Sequence, residues 1–160
     1  MHSSNIPSFH SVCIPLLSLL HIKGMQNMST GFQGKFHRQN MLSYFAKDLV
    51  RRSRSKCELC DKSGVKLEVY ELPPFEEEPY VDGCIFICES CLKQITHPKK
   101  MVPSYWRCLN HALWSEVPVV QVMSVRMLRR LAGAKQHWAE ELLEHAHLEP
   151  DLDEWSAMAE

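Results

Sequence analysis

Two cysteine pairs, KCELCDKSG at residues 56–64 and FICESCLKQI at residues 86–95, decide how this chain folds. Each contains the spacing Cys-x-x-Cys, which turns two sulfurs toward one point, and two such turns supply the four ligands of a tetrahedral metal site. The predicted ligands are Cys57, Cys60, Cys88 and Cys91. Because four sulfurs leave no open coordination position, we expect one structural zinc ion; an iron site of the rubredoxin type has the same ligands and geometry.

The remaining cysteines are predicted to be free thiols. The chain has seven cysteines, and an odd number with two tight pairs favours metal binding in a reducing compartment, here the cytoplasm, over a disulfide framework. Cys84 begins a predicted strand that ends at the third ligand, so it lies too far along an extended chain to join the site. Cys13 and Cys108 are expected to be small buried apolar residues. His97 and His111 are alternative ligands by chemistry, but we expect them at the surface or in caps.

The composition is that of an ordinary globular chain. Its 160 residues are 45% hydrophobic and carry a formal charge of -1, which gives no overall attraction to nucleic acid or to an anionic membrane. The charges are unevenly placed, however, because residues 47–56 and 126–130 are basic and residues 76–82 are acidic. Any electrostatic contact with a partner is therefore expected to be local.

Residues 1–40 are predicted to be an irregular N-terminal extension, and three later methionines are alternative starts. The apolar run at residues 12–22 is about half as long as the roughly 20 residues that a membrane-spanning helix needs. No Lys or Arg precedes this run and Pro15 interrupts it, so it does not match a signal peptide. We expect no membrane association.

Hydrophobic periodicity predicts the other elements. An amphipathic helix begins at Gln39 and ends in the basic residues before the first cysteine pair. Residues 65–72 alternate as a strand that a Pro-Pro pair ends, and residues 84–87 form its antiparallel partner. Helices follow at residues 118–133, about 135–147 and 151–159, the last with Asp151 as its N-cap.

The predicted fold class is α+β, with three regions. Residues 1–40 are the extension, residues 41–100 hold a helix and a four-cysteine module built on a β-hairpin, and residues 101–160 hold an aromatic segment and C-terminal helices. Leu92 and Ile95 follow the second cysteine pair at helical spacing, so this pair is predicted to open a helix, as in a treble clef. A zinc ribbon, which would continue into a strand, is the alternative.

The sequence contains no constellation of catalytic residues. Treble clefs with two cysteine pairs include the HNH nucleases, which place a histidine at the end of the first strand. Here that strand reads VYELPP, so Tyr70 and Glu71 stand where the histidine is needed and no general base faces a water. The chain also contains no Gly-rich phosphate loop and no nucleophile elbow. We therefore expect a non-enzymatic binding or regulatory module whose partner, protein or nucleic acid, is not specified by the sequence.

A nucleic-acid-binding treble clef, related to HNH nucleases but without the catalytic histidine, is the alternative. It would use a basic stretch for phosphate contacts and aromatic rings for base stacking. The candidate contacts are Arg51, Arg52, Arg54, Lys56, Trp106 and Trp114. The competing interpretation is that the basic residues form a solvated helix end and that the tryptophans pack the metal module against the C-terminal helices.

Several segments together resemble the PhnA-type zinc-ribbon proteins, a family named after a protein encoded in an alkylphosphonate-utilisation operon. The segments, all within residues 42–160, are SKCELC, VYELPP, ICESCLKQI, WRCLNHALWSEVPVVQV and RMLRRL. The resemblance implies that the four cysteines bind zinc. It links the chain to phosphonate metabolism by name only, which makes an enzyme of that metabolism a further alternative. Fuller members carry a small β-rich domain after the helices, so we expect this chain to be a short form or a truncated product.

Overall fold

The computed structural model describes residues 22–158, with side chains from residue 34 onward, and shows helices around a small antiparallel sheet. In chain order the elements are α1 Ile22–Arg52, β1 Leu67–Glu71, β2 Cys84–Cys88, α2 Glu89–Thr96, α3 Leu109–Ala112, α4 Pro118–Gly133, α5 His137–His145 and α6 Pro150–Ala157. Short 3₁₀ turns lie at Val81–Gly83, Pro98–Lys100 and Pro103–Cys108. This mixture agrees with the predicted α+β class.

The β-hairpin separates two apolar layers. Strands β1 and β2 pair antiparallel, and the pairs at the two ends of the ladder are Leu67–Cys88 and Glu71–Cys84. All five residues of β2 are buried, and successive side chains point to opposite faces. Phe86 packs with Leu49 of α1 on one face. Ile85 and Ile87 join the larger core, which includes α3 and α4, on the other face. The hairpin is therefore covered on both sides.

Helix α4 is the centre of the larger core. Ten of its 16 residues are buried, and it packs against α3, β2, α5 and α6. Its buried charged residue, Arg126, is 2% exposed and donates from Nη2 to the carbonyls of Pro73 at 2.7 Å and Trp155 at 2.6 Å. Such charge-assisted hydrogen bonds offset part of the desolvation of the guanidinium. Arg126 thereby fixes both the loop after β1 and helix α6 to α4.

Residues 37–158 belong to one compact unit. Cys57, from the predicted metal module, and Trp106, from the predicted aromatic segment, belong to the same buried cluster. The regions 41–100 and 101–160 thus share one hydrophobic core.

Helix α1 begins earlier than predicted. It starts at Ile22 instead of Gln39, so the expectation of irregular structure is wrong for residues 22–40. The chain has no proline between residues 22 and 52, and the helix continues through three glycines, each of which costs about 1 kcal/mol relative to alanine. Those glycines explain why periodicity alone gave no helix there. The predicted apolar run falls almost entirely on residues 1–21, which lie outside the described residues. Among the described helices, none is both long enough and apolar enough to cross a membrane.

The other elements lie close to their predicted positions. The two strands fall at the predicted sites, α4 has the predicted bounds, and α5 and α6 begin within two residues of the expected starts. The predicted N-cap of α6 is wrong, because Glu149 is the capping residue and Pro150 follows it. Proline is well tolerated at the first helical position, where its missing N–H has no partner to lose. Asp151 lies in the first turn, where its charge favours the helix dipole.

Helix α1 ends in a Schellman motif that directs the chain into the first cysteine pair. The Ser55 N–H donates to the Val50 carbonyl at 3.0 Å, and the Arg54 N–H donates to the Arg51 carbonyl at 3.3 Å. Arg54 has a φ of 54°, in the left-handed region that glycine adopts without steric cost. Arg54 therefore carries a side chain at a position whose left-handed backbone conformation favours glycine.

Replacing Arg54 with glycine is expected to raise the free energy of unfolding by about 1 kcal/mol, because it removes the left-handed strain. Urea unfolding of the metal-loaded protein, followed by circular dichroism, measures the change. The matched control is Arg51→Gly, inside the last turn of α1, which should lower the same free energy by about 1 kcal/mol. An Arg54→Gly protein less stable than the parent would contradict the assignment of this strain.

Candidate metal centre

Four cysteine sulfurs meet at one end of the larger core. The Sγ atoms of Cys57 and Cys91 are 3.7 Å apart, as are those of Cys60 and Cys88, and all four lie within 4.8 Å of one another. A tetrahedron with sulfurs about 2.3 Å from its centre has edges of about 3.8 Å. The separations and the all-sulfur donor set therefore fit a tetrahedral thiolate site. Of the residues described, this is the one group of three or more Cys, His, Asp or Glu side chains placed to hold a metal ion.

The first pair sits on a tight turn that its own backbone closes. The Cys57 N–H donates to the Lys62 carbonyl at 2.9 Å, and the Asp61 N–H donates to the Cys57 carbonyl at 2.8 Å. Asp61 adopts a φ of 57°, a left-handed conformation that aspartate tolerates better than most residues. These bonds bend the chain so that Cys57 and Cys60 point the same way.

Glu58, inside the first pair, fixes this turn to strand β2. Its N–H donates to the Phe86 carbonyl at 3.0 Å, and its Oε2 accepts the Phe86 N–H at 2.7 Å. The same carboxylate accepts two hydrogen bonds from Arg52, each at 2.8 Å, while Arg52 Nη2 also donates to the Cys84 carbonyl at 2.7 Å. Glu58 thus joins the first turn, the end of α1 and the edge of β2. This role could not be predicted from the sequence, because a charged residue between two cysteines is ordinarily expected to be exposed to solvent.

The second pair spans the junction of strand and helix. Cys88 is the last residue of β2 and the N-cap of α2, and Cys91 lies in the first turn of α2. The Cys88 N–H donates to the Cys57 sulfur at 3.3 Å, so the two turns are also joined directly. Helical spacing after the second pair predicted this helix correctly.

Tyr105 reaches the cluster from outside both pairs. Its hydroxyl lies 3.4 Å from the Cys91 sulfur, 3.6 Å from that of Cys60 and 3.7 Å from that of Cys88. In the sequence, Tyr105 is one residue of the aromatic segment within residues 101–160, and nothing there predicts its contact with the sulfurs. Tyr105 follows Cys91 by 14 residues, a separation for which no short-range pattern exists.

The pKa values of three of the four thiols are shifted, and not all in the same direction. Hydrogen bonds from Cys57 and Cys91 lower the pKa of Cys60 well below its ordinary value. The hydrogen bond to Cys60 raises the pKa of Cys57 to about 11, and the bonds to Cys57 and Cys60 raise that of Cys91. One thiolate is thus stabilised by neighbours that keep their protons. Metal binding to all four sulfurs must displace those protons, which makes it depend on pH.

The other predicted candidate ligands lie away from the cluster. Cys84 is fully buried in β2, and its thiol donates to the Tyr80 carbonyl at 3.3 Å. Burial raises the pKa of both Cys84 and Cys108 to about 12, so each remains a neutral thiol. His97 is the C-cap of α2 and His111 is exposed in α3, as expected for residues outside the site.

Two of the six candidate nucleic-acid contacts are occupied within the fold. Arg52 is held by Glu58, as described above. Trp106 is 0% exposed, and its Nε1 donates to Gln94 Oε1 at 3.1 Å, so it has no free face for a base. Here the packing interpretation of the tryptophan is correct.

The remaining four candidates lie nearer to solvent. Arg51 and Arg54 are exposed at the end of α1, and Trp114 is 56% exposed. Lys56 forms an exposed ion pair with Asp61 at 3.0 Å. Exposure of this kind is also what a solvated helix end would show, so it does not favour nucleic-acid binding.

The positions that a catalytic histidine would need are used structurally. Glu71 is buried and forms a two-pronged ion pair with Arg38, at 2.6 and 2.9 Å. Tyr70 packs against the larger core. Both residues therefore contribute to packing around β1.

Comparison with known proteins gives no relative. No protein-family model matches the chain, and no curated protein or solved structure shows significant similarity to it.

Replacing Glu58 with glutamine is expected to lower the free energy of unfolding by about 3 kcal/mol, because it leaves the guanidinium of Arg52 without its counter-charge. The side chains of Arg52 and Glu58 are only 21% and 6% exposed, so water replaces little of the lost pairing. The matched control is Glu68→Gln, which breaks the exposed pair with Lys66 and should cost less than about 1 kcal/mol. Equal losses in the two variants, measured by urea unfolding, would contradict the anchoring role of Glu58.

Proposed function

We propose that this protein is a zinc-binding module in which one structural zinc ion joins the two cysteine turns. The observation that carries the proposal is the meeting of four sulfurs within 4.8 Å, with two pairs at the separation that a tetrahedral thiolate site requires. Cys57, Cys60, Cys88 and Cys91 would hold the ion. Zinc is favoured over iron because it is the usual ion of closed four-cysteine sites with a structural role.

The surroundings of the cluster support a structural role for the ion. Cys57, Cys88 and Cys91 are buried and belong to the larger hydrophobic core, with Cys60 packed against it. Four protein sulfurs complete the coordination, which leaves no position for a substrate or a water. The ion would supply cross-linking between two chain segments, and these cysteines would give up their protons to bind it.

The groups that line the cleft beside the first turn support a non-enzymatic function. The cleft has a volume of about 400 Å³, and its walls include Arg52 and Lys56, both paired with acidic residues. Cys108 and His111 face it as well. The Cys108 thiol donates to the Tyr105 carbonyl at 3.5 Å, and its pKa is raised to about 12 by burial, so it is not a thiolate nucleophile. We therefore infer a non-enzymatic binding or regulatory function.

The order of the elements supports the treble-clef form of the module. A cysteine turn, a β-hairpin and a cysteine pair that opens helix α2 follow one another along the chain. We further propose that the chain belongs to the PhnA type, because several of its segments resemble that family. We also propose a cytoplasmic location, because the cysteines of the described residues are free thiols. A connection with phosphonate metabolism rests on the family's name.

The protein purified without chelator is expected to contain one zinc ion per chain. Native mass spectrometry measures this stoichiometry. The double variant Cys57→Ser, Cys88→Ser should lose the ion, because each turn then lacks one thiolate. The matched control, Cys84→Ser, removes a thiol outside the cluster and should keep one ion per chain. Replacement by cobalt should give the intense near-ultraviolet bands of a thiolate-bound metal in the parent and control only.

Two results would overturn the proposal. A folded parent protein without metal would mean that the two cysteine pairs serve redox or disulfide chemistry. Hydrolysis of phosphonates or nucleic acids by the pure protein, abolished by changing a polar residue that is not a ligand, would contradict the non-enzymatic function.

A further inference from the structure

The hydroxyl of Tyr105 lies over one face of the four-sulfur cluster. It is 3.4 to 3.7 Å from the sulfurs of Cys60, Cys88 and Cys91, within the range of hydrogen bonds to sulfur. Cys57, the fourth sulfur, instead accepts the N–H of Cys88 at 3.3 Å. Every sulfur of the cluster therefore has a hydrogen-bonding group beside it.

We propose that Tyr105 is a positioning residue whose hydroxyl donates a hydrogen bond to the metal-bound thiolates, and so lowers their basicity and slows loss of the metal. The inference rests on the proposed zinc site. It follows from donor and acceptor chemistry, since a thiolate only accepts hydrogen bonds and the hydroxyl is the group that can donate. Hydrogen bonds to charged acceptors are about twice as strong as neutral ones, so the contact gains strength when the sulfurs are thiolates.

The position of Tyr105 is set by helix α2, which also carries Cys91. Gln94 of α2 accepts two hydrogen bonds at Oε1, from the Val102 N–H at 2.8 Å and from Trp106 Nε1 at 3.1 Å. These two residues flank Tyr105 in the chain, and the Tyr105 N–H donates to the Val102 carbonyl at 3.0 Å. The 3₁₀ turn is thus held to α2 on both sides of the tyrosine.

Neighbouring rings hold the side chain in place. The ring of Tyr105 packs edge-to-face on that of Trp106, with centroids 5.6 Å apart, and Trp106 is fully buried. The packing of the ring consequently holds the hydroxyl beside the sulfurs and restricts rotation of the side chain. Groups that hydrogen-bond to metal ligands commonly change metal affinity 10- to 100-fold, by rough measure, when they are removed.

The test is Tyr105→Phe in the full chain, which keeps the ring and removes the hydroxyl. Loaded with cobalt, the variant should show its thiolate-to-metal charge-transfer band at longer wavelength, because thiolates without the donor give up electrons more easily. Loaded with zinc, it should release the ion to a competing chelator about tenfold faster. The matched control is Tyr44→Phe, whose residue is 75% exposed on α1 and should leave both quantities unchanged.

A Tyr105→Phe protein with the parent's band position and release rate would overturn the inference and leave the zinc site intact. A parent that binds no metal would instead overturn the proposed function. If the variant does not fold, the parent protein loaded with NMR-active cadmium provides a second test of the hydrogen bond. The Tyr105 hydroxyl proton should then exchange slowly with solvent and couple to the metal through sulfur, whereas exchange as fast as that of Tyr44 would contradict the hydrogen bond.

Discussion

The hydrogen bonds between Glu58 and Phe86 are the contacts on which the candidate metal centre depends. The two cysteine pairs are far apart in the chain, and their sulfurs meet only if the first turn is held at the edge of β2. Strand β2 is paired with β1 on its other edge, so its outer edge would otherwise expose unpaired backbone groups. Glu58 satisfies that edge with one N–H and one carboxylate oxygen. Arg52 then neutralises the carboxylate and attaches the end of α1 to the same point.

Helix α4 connects the elements around the cysteine cluster to the C-terminal helices. Its arginines make contacts inside the fold: Arg126 reaches Pro73 and Trp155, Arg129 reaches α6, and Arg130 donates to the Ile95 carbonyl at 3.2 Å, near the end of α2. The arginines within residues 126–130 look like a basic surface in the sequence. In the structure they hold neighbouring elements together through hydrogen bonds. The four-cysteine module and the helices share one core, so a change in the packing of either affects the other.

The sequence predicted what depends on local spacing and missed what depends on distant partners. Two Cys-x-x-Cys pairs predict the candidate ligands because each pair is a local turn. Glu58 and Tyr105 could not be found in the same way, since their roles arise only when Phe86 and Cys91 come close in space. Trp106 was open to two interpretations, because an aromatic residue has the same pattern in a core as in a binding surface. The early start of α1 was missed because propensity disfavours its glycines, whereas the observed helix continues through them.

The charge of the proposed site explains why so many donors surround it. Four thiolates around one divalent cation leave roughly two negative charges, and burial makes an uncompensated charge costly. Three groups offset it here: the Cys88 N–H on Cys57, the hydroxyl of Tyr105, and the N-terminus of α2, where Cys91 lies in the first turn. None of them is a cation, so these groups distribute the negative charge over dipoles. These dipoles offset the charge only while the backbone that carries them is folded. Metal binding to the proposed site is therefore coupled to the folding of β2, α2 and the 3₁₀ turn that carries Tyr105.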